Sequence, residues 1–218
     1  MNWSDLKFLY KQIEECPYCK KSGNRLKHIF GFGVLNPRLM LILINPTYRN
    51  LSSNPDYCGD RFPFIGVRSF WKVLASGNLI DKKISSSLPE RSGWKNSDTE
   101  RIKEELLKNQ LFITNMVKCC FAHGDYPARP IIKWHLKWLK QEIMIVKPQK
   151  IVAFGTLVFK ELTHKTIVFK NNLNKLTKHN NFELLTGLKI PVFACPFPIG
   201  RGSPQKAALV LRKIKSLG

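Results

Sequence analysis

Four short apolar runs, separated by segments of helical pattern, constrain this chain more than any other feature. The runs are LMLILI (39–44), LFITNMV (111–117), KIVAFG (150–155) and PVFAC (191–195). Each has the length of a strand, and none alternates apolar with polar residues. That is the pattern of strands buried on both faces. SFWKVLASG, which stops near Gly77, reads as a helix. SDTERIKEELLKN opens with Ser97 and Glu100 at capping-box spacing, and a longer helix starts at Pro130 and runs through Trp134, Leu136, Leu139 and Ile143. TLVFKELT follows the third run, and a last helix over 205–215 follows Ser203 and Pro204. A short helix over 4–15 precedes them all, with Leu6, Phe8, Leu9 and Ile13 as its apolar stripe.

Strand and helix alternating four times predict a three-layer α/β/α fold around a central, mainly parallel four-stranded sheet. The 218 residues fit one domain, with a polar surface insertion near 82–96 and a basic, Asn-rich one near 165–190 that holds at most a hairpin. Ligands of such sheets bind at the carboxyl ends of the strands. The residues leaving each strand are therefore the ones to read: Asn45, residues 115–119, Gly155 and residues 195–201.

Charge narrows the partner. Lysine and arginine number 36 against 15 acids, a net charge of +21, so a polyanion is expected and nucleic acid leads. No apolar run is long enough to span a bilayer, and the N-terminus is charged from the start, unlike a signal peptide. A cytoplasmic, reducing setting follows, in which the six cysteines more often bind metal than form disulfides. Cys16 and Cys19 form a CxxC chelate that suits zinc or an iron–sulfur cluster.

Taken together in order and spacing, the strand exits resemble the uracil-DNA glycosylase superfamily. LINPT (43–47) is close to the GINPG motif of the mismatch-specific uracil/thymine branch. PFIG (63–66), ITNMVKC (113–119) and IVAFG (151–155) are similar to PFVG, ITNVVKC and IVALG of the iron–sulfur (family 4) branch, and the resemblance runs from CPYC to the final helix. It implies a monofunctional DNA glycosylase that excises uracil or another deaminated base by base flipping and water attack at the sugar C1', acting as a monomer in base excision repair.

The resemblance assigns roles residue by residue. Asn45 would hold the attacking water, though Asn-Pro also reads simply as a turn. Phe64 would be the aromatic platform under the base, against the plainer reading of a core phenylalanine. Asn115, an amide that can donate and accept together, would pair with the base edge. CPFPIGR (195–201) aligns with the family's HPS-x-x-L-R region, so Cys195 stands where a histidine normally donates to the leaving base and Phe197 where a serine contacts phosphate. Ile199 falls at the wedge that fills the vacated stack. Arg201 and Ser203 would hold a phosphate, with Ser203 equally readable as a helix cap. The metal ligands implied are Cys16, Cys19, Cys119 and His135, holding a [4Fe–4S] cluster, with zinc as the alternative. Cys120 is the other candidate fourth ligand, although neighbours in an extended strand face opposite ways. His123 reads as a solvated histidine and Cys58 as a bystander. Cys195 and Phe197 support a second reading, a glycosylase fold that binds nucleic acid without excision.

Overall fold

The computed structural model describes residues 2–18, 26–121, 126–169, 176–183, 189–200 and 202–217, with the backbone alone for 179–183. Six strands form one sheet: β1 (Phe32–Gly33), β2 (Leu39–Leu43), β3 (Leu111–Asn115), β4 (Ile151–Phe154), β5 (Lys178–Glu183) and β6 (Lys189–Cys195), in the order β1-β3-β2-β4-β6-β5. The inner four are mutually parallel and correspond to the four apolar runs; β1 and β5 close the edges antiparallel. Every residue of β2, β3 and β4 is buried, as continuous apolar runs require.

The edges escape the sequence pattern for physical reasons. β5 is polar (KHNNFE), as suits a strand with solvent on one side. β1 has two residues, and a Cβ on its Gly33 (φ +147°) would lie 2.0 Å from the Leu111 carbonyl oxygen, so only glycine allows this pairing. Of the segment 165–190, β5 pairs antiparallel with β6, the strand of the fourth apolar run, in place of a hairpin confined to 165–190; residues 170–175 and 184–188 lie outside the described set.

Seven α-helices pack on the sheet among the described residues: α1 (Trp3–Glu14), α2 (Arg68–Ser76), α3 (Lys82–Ser87), α4 (Asn96–Lys108), α5 (Arg129–Val146), α6 (Thr156–Thr163) and α7 (Pro204–Lys215). Alternate strand residues feed two separate cores. Leu41, Leu43, Ile113, Phe154 and Phe193 pack with Phe70, Trp71, Ile102 and Leu211 of α2, α4 and α7. Met40, Ile42, Phe112, Ala153 and Val192 pack on the other face with Leu9, Ile13, Leu139, Ile143 and Phe159 of α1, α5 and α6. The result is the three-layer α/β/α arrangement.

Some local expectations change. Phe8 lies 65% exposed, outside the α1 stripe of Leu6, Leu9 and Ile13. The Ser97–Glu100 capping box gives way to Asp98, whose carboxylate accepts the Lys95 N–H at 2.9 Å, because α4 begins two residues earlier than that box implies. Segment 82–96 is more than a surface insertion: it carries α3 and buries Leu88 and Trp94, whose indole N–H donates to Thr99 Oγ1 at 2.9 Å. On α5 the buried stripe is Ile132, His135, Leu139, Glu142, Ile143 and Val146; Trp134 and Leu136 are half-buried at its side. No helix among the described residues is long and apolar enough to cross a membrane.

Candidate functional site

The sheet order sets the exits of β3, β2, β4 and β6 side by side, spaced by about 4.8 Å per strand. Met116 N donates to Leu43 O at 2.6 Å and Val117 N to Ile44 O at 2.8 Å, so β2 and β3 stay paired up to Asn45. Gly155 N donates to Cys195 O at 2.8 Å, tying the other two exits. By alternation, Asn115 follows Leu111 and Ile113 onto the α2/α4/α7 face, and Cys195 follows Phe193. Phe64 belongs to that same core. The structure thus brings Asn115, Phe64 and Cys195 to one face, with Asn45 at its rim.

Asn115 is 1% exposed, and neither its Nδ2 nor its Oδ1 has a hydrogen-bond partner. Two orphaned polar atoms at the end of an apolar strand cost about 1–3 kcal/mol each unless something pairs them. Asn45 is half-buried and donates its Nδ2–H to Pro46 O at 3.0 Å, which leaves Oδ1 as an acceptor at the rim.

Phe64 sits in the left-handed backbone region (φ +67°), a costly place for a bulky residue. Both of its peptide groups are held: Asn50 Oδ1 accepts its N–H at 2.7 Å, and Trp71 Nε1 donates to its carbonyl at 2.9 Å. Its ring stacks on Phe70 at 4.0 Å between centroids, 14° from parallel, which fixes the ring plane. Asn50 also donates to Thr47 O at 3.1 Å, so one buried amide joins the loop after β2 to the Phe64 turn. Arg61 donates to the carbonyls of Ser52 (2.5 Å), Asn54 (2.7 Å), Pro55 (3.1 Å) and Tyr57, gathering the loop between them. Sequence reasoning missed both residues, because their partners are backbone groups that only the fold brings near.

Cys195 is fully buried with Sγ 3.7 Å from Ala207 O, and burial pushes its thiol well above the usual range, so it stays neutral. Ile199 is half-buried and lines a groove of about 560 Å³ between α2 and α7, with Lys72 and Arg212 on the walls. Ser203 occupies the N-cap position of α7, but its hydroxyl makes no cap bond, contrary to the expected cap; its N–H donates to Phe197 O at 2.9 Å instead. Arg201 lies outside the described residues, as do Cys19 and His123.

On the opposite face Cys16, Cys119 and His135 come together and could hold a metal ion. Cys16 lies just past the C-cap of α1, Cys119 follows β3 and His135 lies on α5. The two sulfurs are 3.5 Å apart, and His135 Nε2 lies 3.1 Å from Cys119 Sγ and 3.7 Å from Cys16 Sγ. One tetrahedral zinc with usual bond lengths would set sulfur–sulfur and sulfur–nitrogen edges of about 3.8 and 3.5 Å, so the set fits a single ion. His135 is fully buried, its Nδ1 has no partner, and burial, then the Lys118 and His28 charges, pull its pKa to about 3. A neutral imidazole is the form that ligates metal. Cys119 is disulfide-bonded in this structure, so ligation requires its reduction. Cys120 interacts with Ser53, and its thiol is pushed up to about 11 chiefly by burial; Cys58 is exposed. An unforeseen neighbour is His28, with Nε2 at 3.9 Å from Cys119 Sγ.

The sequence profile of the Uracil DNA glycosylase superfamily matches residues 30–206, a span that begins after α1 and Cys16. The type-4 uracil-DNA glycosylase of Pyrobaculum aerophilum is 28% identical over 158 residues, covering 72% of this chain. The match takes in 64% of that relative's length. With the profile covering most of the fold and every inner strand, the chain belongs to the uracil-DNA glycosylase superfamily.

Proposed function

We propose that the protein is a monofunctional DNA glycosylase that excises uracil or another deaminated base flipped out of DNA. The observation that carries this reading is Asn115: a buried amide with one donor and one acceptor side both unpaired suits a pyrimidine edge offering a carbonyl and an N–H. Phe64 stacks under the base, in a ring plane set by Phe70. Asn45 Oδ1 accepts a hydrogen bond from the attacking water, since the amide N–H is engaged by Pro46. The oxocarbenium-like transition state needs no strong base, so a positioned amide suffices, at a lower rate than a carboxylate would give. Cys195 offers the leaving base a neutral thiol, a weak donor that adds no charge. Ile199 fills the vacated stack, and Arg201 with the uncapped Ser203 hydroxyl contacts phosphate. The surplus of cations over acids fits a phosphate-lined substrate.

Cys16, Cys119 and His135, with Cys19, would hold the metal centre. The family resemblance favours a [4Fe–4S] cluster, whereas the close ligand separations favour one zinc ion. Either would act structurally, tying α1 to α5 and to the segment after β3. A brown preparation containing iron supports the cluster, and a colourless one containing zinc overturns it.

The functional reading is tested with oligonucleotides carrying uracil, hypoxanthine, or thymine opposite guanine. Uracil strands should yield alkali-labile abasic sites; no such product from any of the three rejects excision and leaves nucleic-acid binding as the function.

A further inference from the structure

A densely paired buried group lies directly behind the unpaired side-chain amide of Asn115. Lys118 Nζ and Glu142 Oε2 form a salt bridge at 2.6 Å with side chains 1% and 0% exposed. The Lys118 ammonium also donates to Asn115 O at 2.6 Å and to Thr114 Oγ1, which fills its three donor positions. Thr114 Oγ1 lies 3.1 and 3.0 Å from the two Glu142 oxygens, and Tyr10 OH donates to Glu142 Oε1 at 2.6 Å. Gly31 N in turn donates to Tyr10 OH at 3.1 Å.

Stability is a weak account of such a network. Apolar replacements of a buried ion pair are often neutral or better, so its presence calls for another reason. What the ammonium grips is the carbonyl of Asn115, the residue whose side-chain amide has no partner. Thr114, one residue earlier, is locked on the same side. The network therefore fixes the peptide from the α1/α5 face, while the Asn115 amide projects to the other face.

We propose that the Lys118–Glu142 ion pair is a positioning device for base recognition, holding the Asn115 peptide so that its side-chain amide stands oriented before the base arrives. This rests on the reading that Asn115 pairs with the base. Neither Lys118 nor Glu142 touches substrate. The same two segments also carry metal-capable residues: Cys119 follows Lys118, and His135 lies two turns before Glu142 on one buried stripe of α5. Ion pair and metal group are thus successive fasteners of one seam.

The test uses Lys118→Met, Glu142→Leu and the double variant in the full-length protein. Each single change leaves one buried charge without its partner, so both should unfold at lower temperature. The double variant removes both charges and should regain most of the loss. At that regained stability, the Asn115 side-chain amide signals in a 1H–15N spectrum, assigned with Asn115→Leu, should broaden or double. Uracil excision should remain lower in kcat/KM by about 10²-fold, the loss expected of a misplacement near 1 Å. A double variant with wild-type stability, wild-type Asn115 signals and full excision overturns the proposal and leaves the pair a structural fastener. If the wild type excises no base, the functional reading fails, and the Asn115 signals of the double variant decide the positioning role on their own. Should the double variant not fold, Glu142→Gln, which keeps the hydrogen-bonding shape and removes one charge, is read by the same spectra and rates.

Discussion

Thr114 and Asn115 are successive residues of one strand, yet their surroundings are opposites. Thr114 faces α1 and α5, where its hydroxyl meets both oxygens of Glu142 and the ammonium of Lys118. Asn115 faces α2, α4 and α7, where its side-chain amide meets no hydrogen-bond partner among the described residues. A fold that uses a buried polar group for its own cohesion pairs it, as around Thr114. A buried amide left open at a strand exit points instead to something outside the fold. The α1/α5 face has its own orphans in Trp138 Nε1 and His135 Nδ1, of which the second sits in the metal-capable group. The sheet thus separates two tasks: one face binds the segments together, and the other presents an unpaired amide beside a stacked aromatic.

The contrast predicts different responses on the two faces. Stripping metal from reduced protein with a chelator, or replacing Cys16 by Ala, should destabilise the fold. The loss is about 4 kcal/mol for a site filled at a thousand times its Kd. Chemical unfolding with and without the metal measures it, and an unchanged midpoint would remove the metal from the fastening role. On the opposite face, Asn115→Leu should lower kcat/KM for uracil by about 10²-fold. The same change should raise stability by about 1 kcal/mol, since it removes two unpaired polar atoms. A variant that loses stability along with activity would mean that the amide serves the fold.

Asn50→Ala should cost about 1–3 kcal/mol, because it orphans the Phe64 N–H and cuts the side-chain tie to the Thr47 carbonyl, which keeps only the Asn50 backbone N–H. It should also raise KM through a displaced Phe64 ring, and a stability loss with KM unchanged would separate Phe64 from the base. The smallest effect concerns pH. Burial holds the Cys120 proton up to about 11, whereas an unfolded thiol loses it near ~8.5. The unfolded state therefore binds fewer protons in that window, and stability falls as pH rises through it. Cys120→Ala should flatten this fall by up to one proton, read from unfolding midpoints across the alkaline range.

The strands were legible because burial on both faces favours apolar residues, so LMLILI and the LFI of LFITN read as buried strand. The exits were legible for the same reason: a polar residue that ends such a run stands out, as Asn115 does. His135 was reached through the family resemblance, at the position that matches a later cysteine ligand. Its companion Glu142 was not, although a carboxylate seven residues along one buried helical stripe is a signal that periodicity could have offered. Asn50 and Arg61 carried no signal, since each binds backbone groups of other segments and nothing in their neighbours announces it. Ser203 shows the reverse case, a cap residue by pattern whose hydroxyl does not cap.

Local pattern, then, decided everything set by burial and periodicity: the α/β alternation, the parallel inner sheet, and the amides and cysteines at its exits. Tertiary structure decided which of those residues meet. Alternation alone says that Thr114 and Asn115 part company, but not which face receives α5 with Glu142 and His135, nor that Tyr10 arrives from the far N-terminus to complete the pairing. Those choices depend on contacts between residues from 24 to 132 positions apart, which no local preference encodes because each partner comes from a different segment.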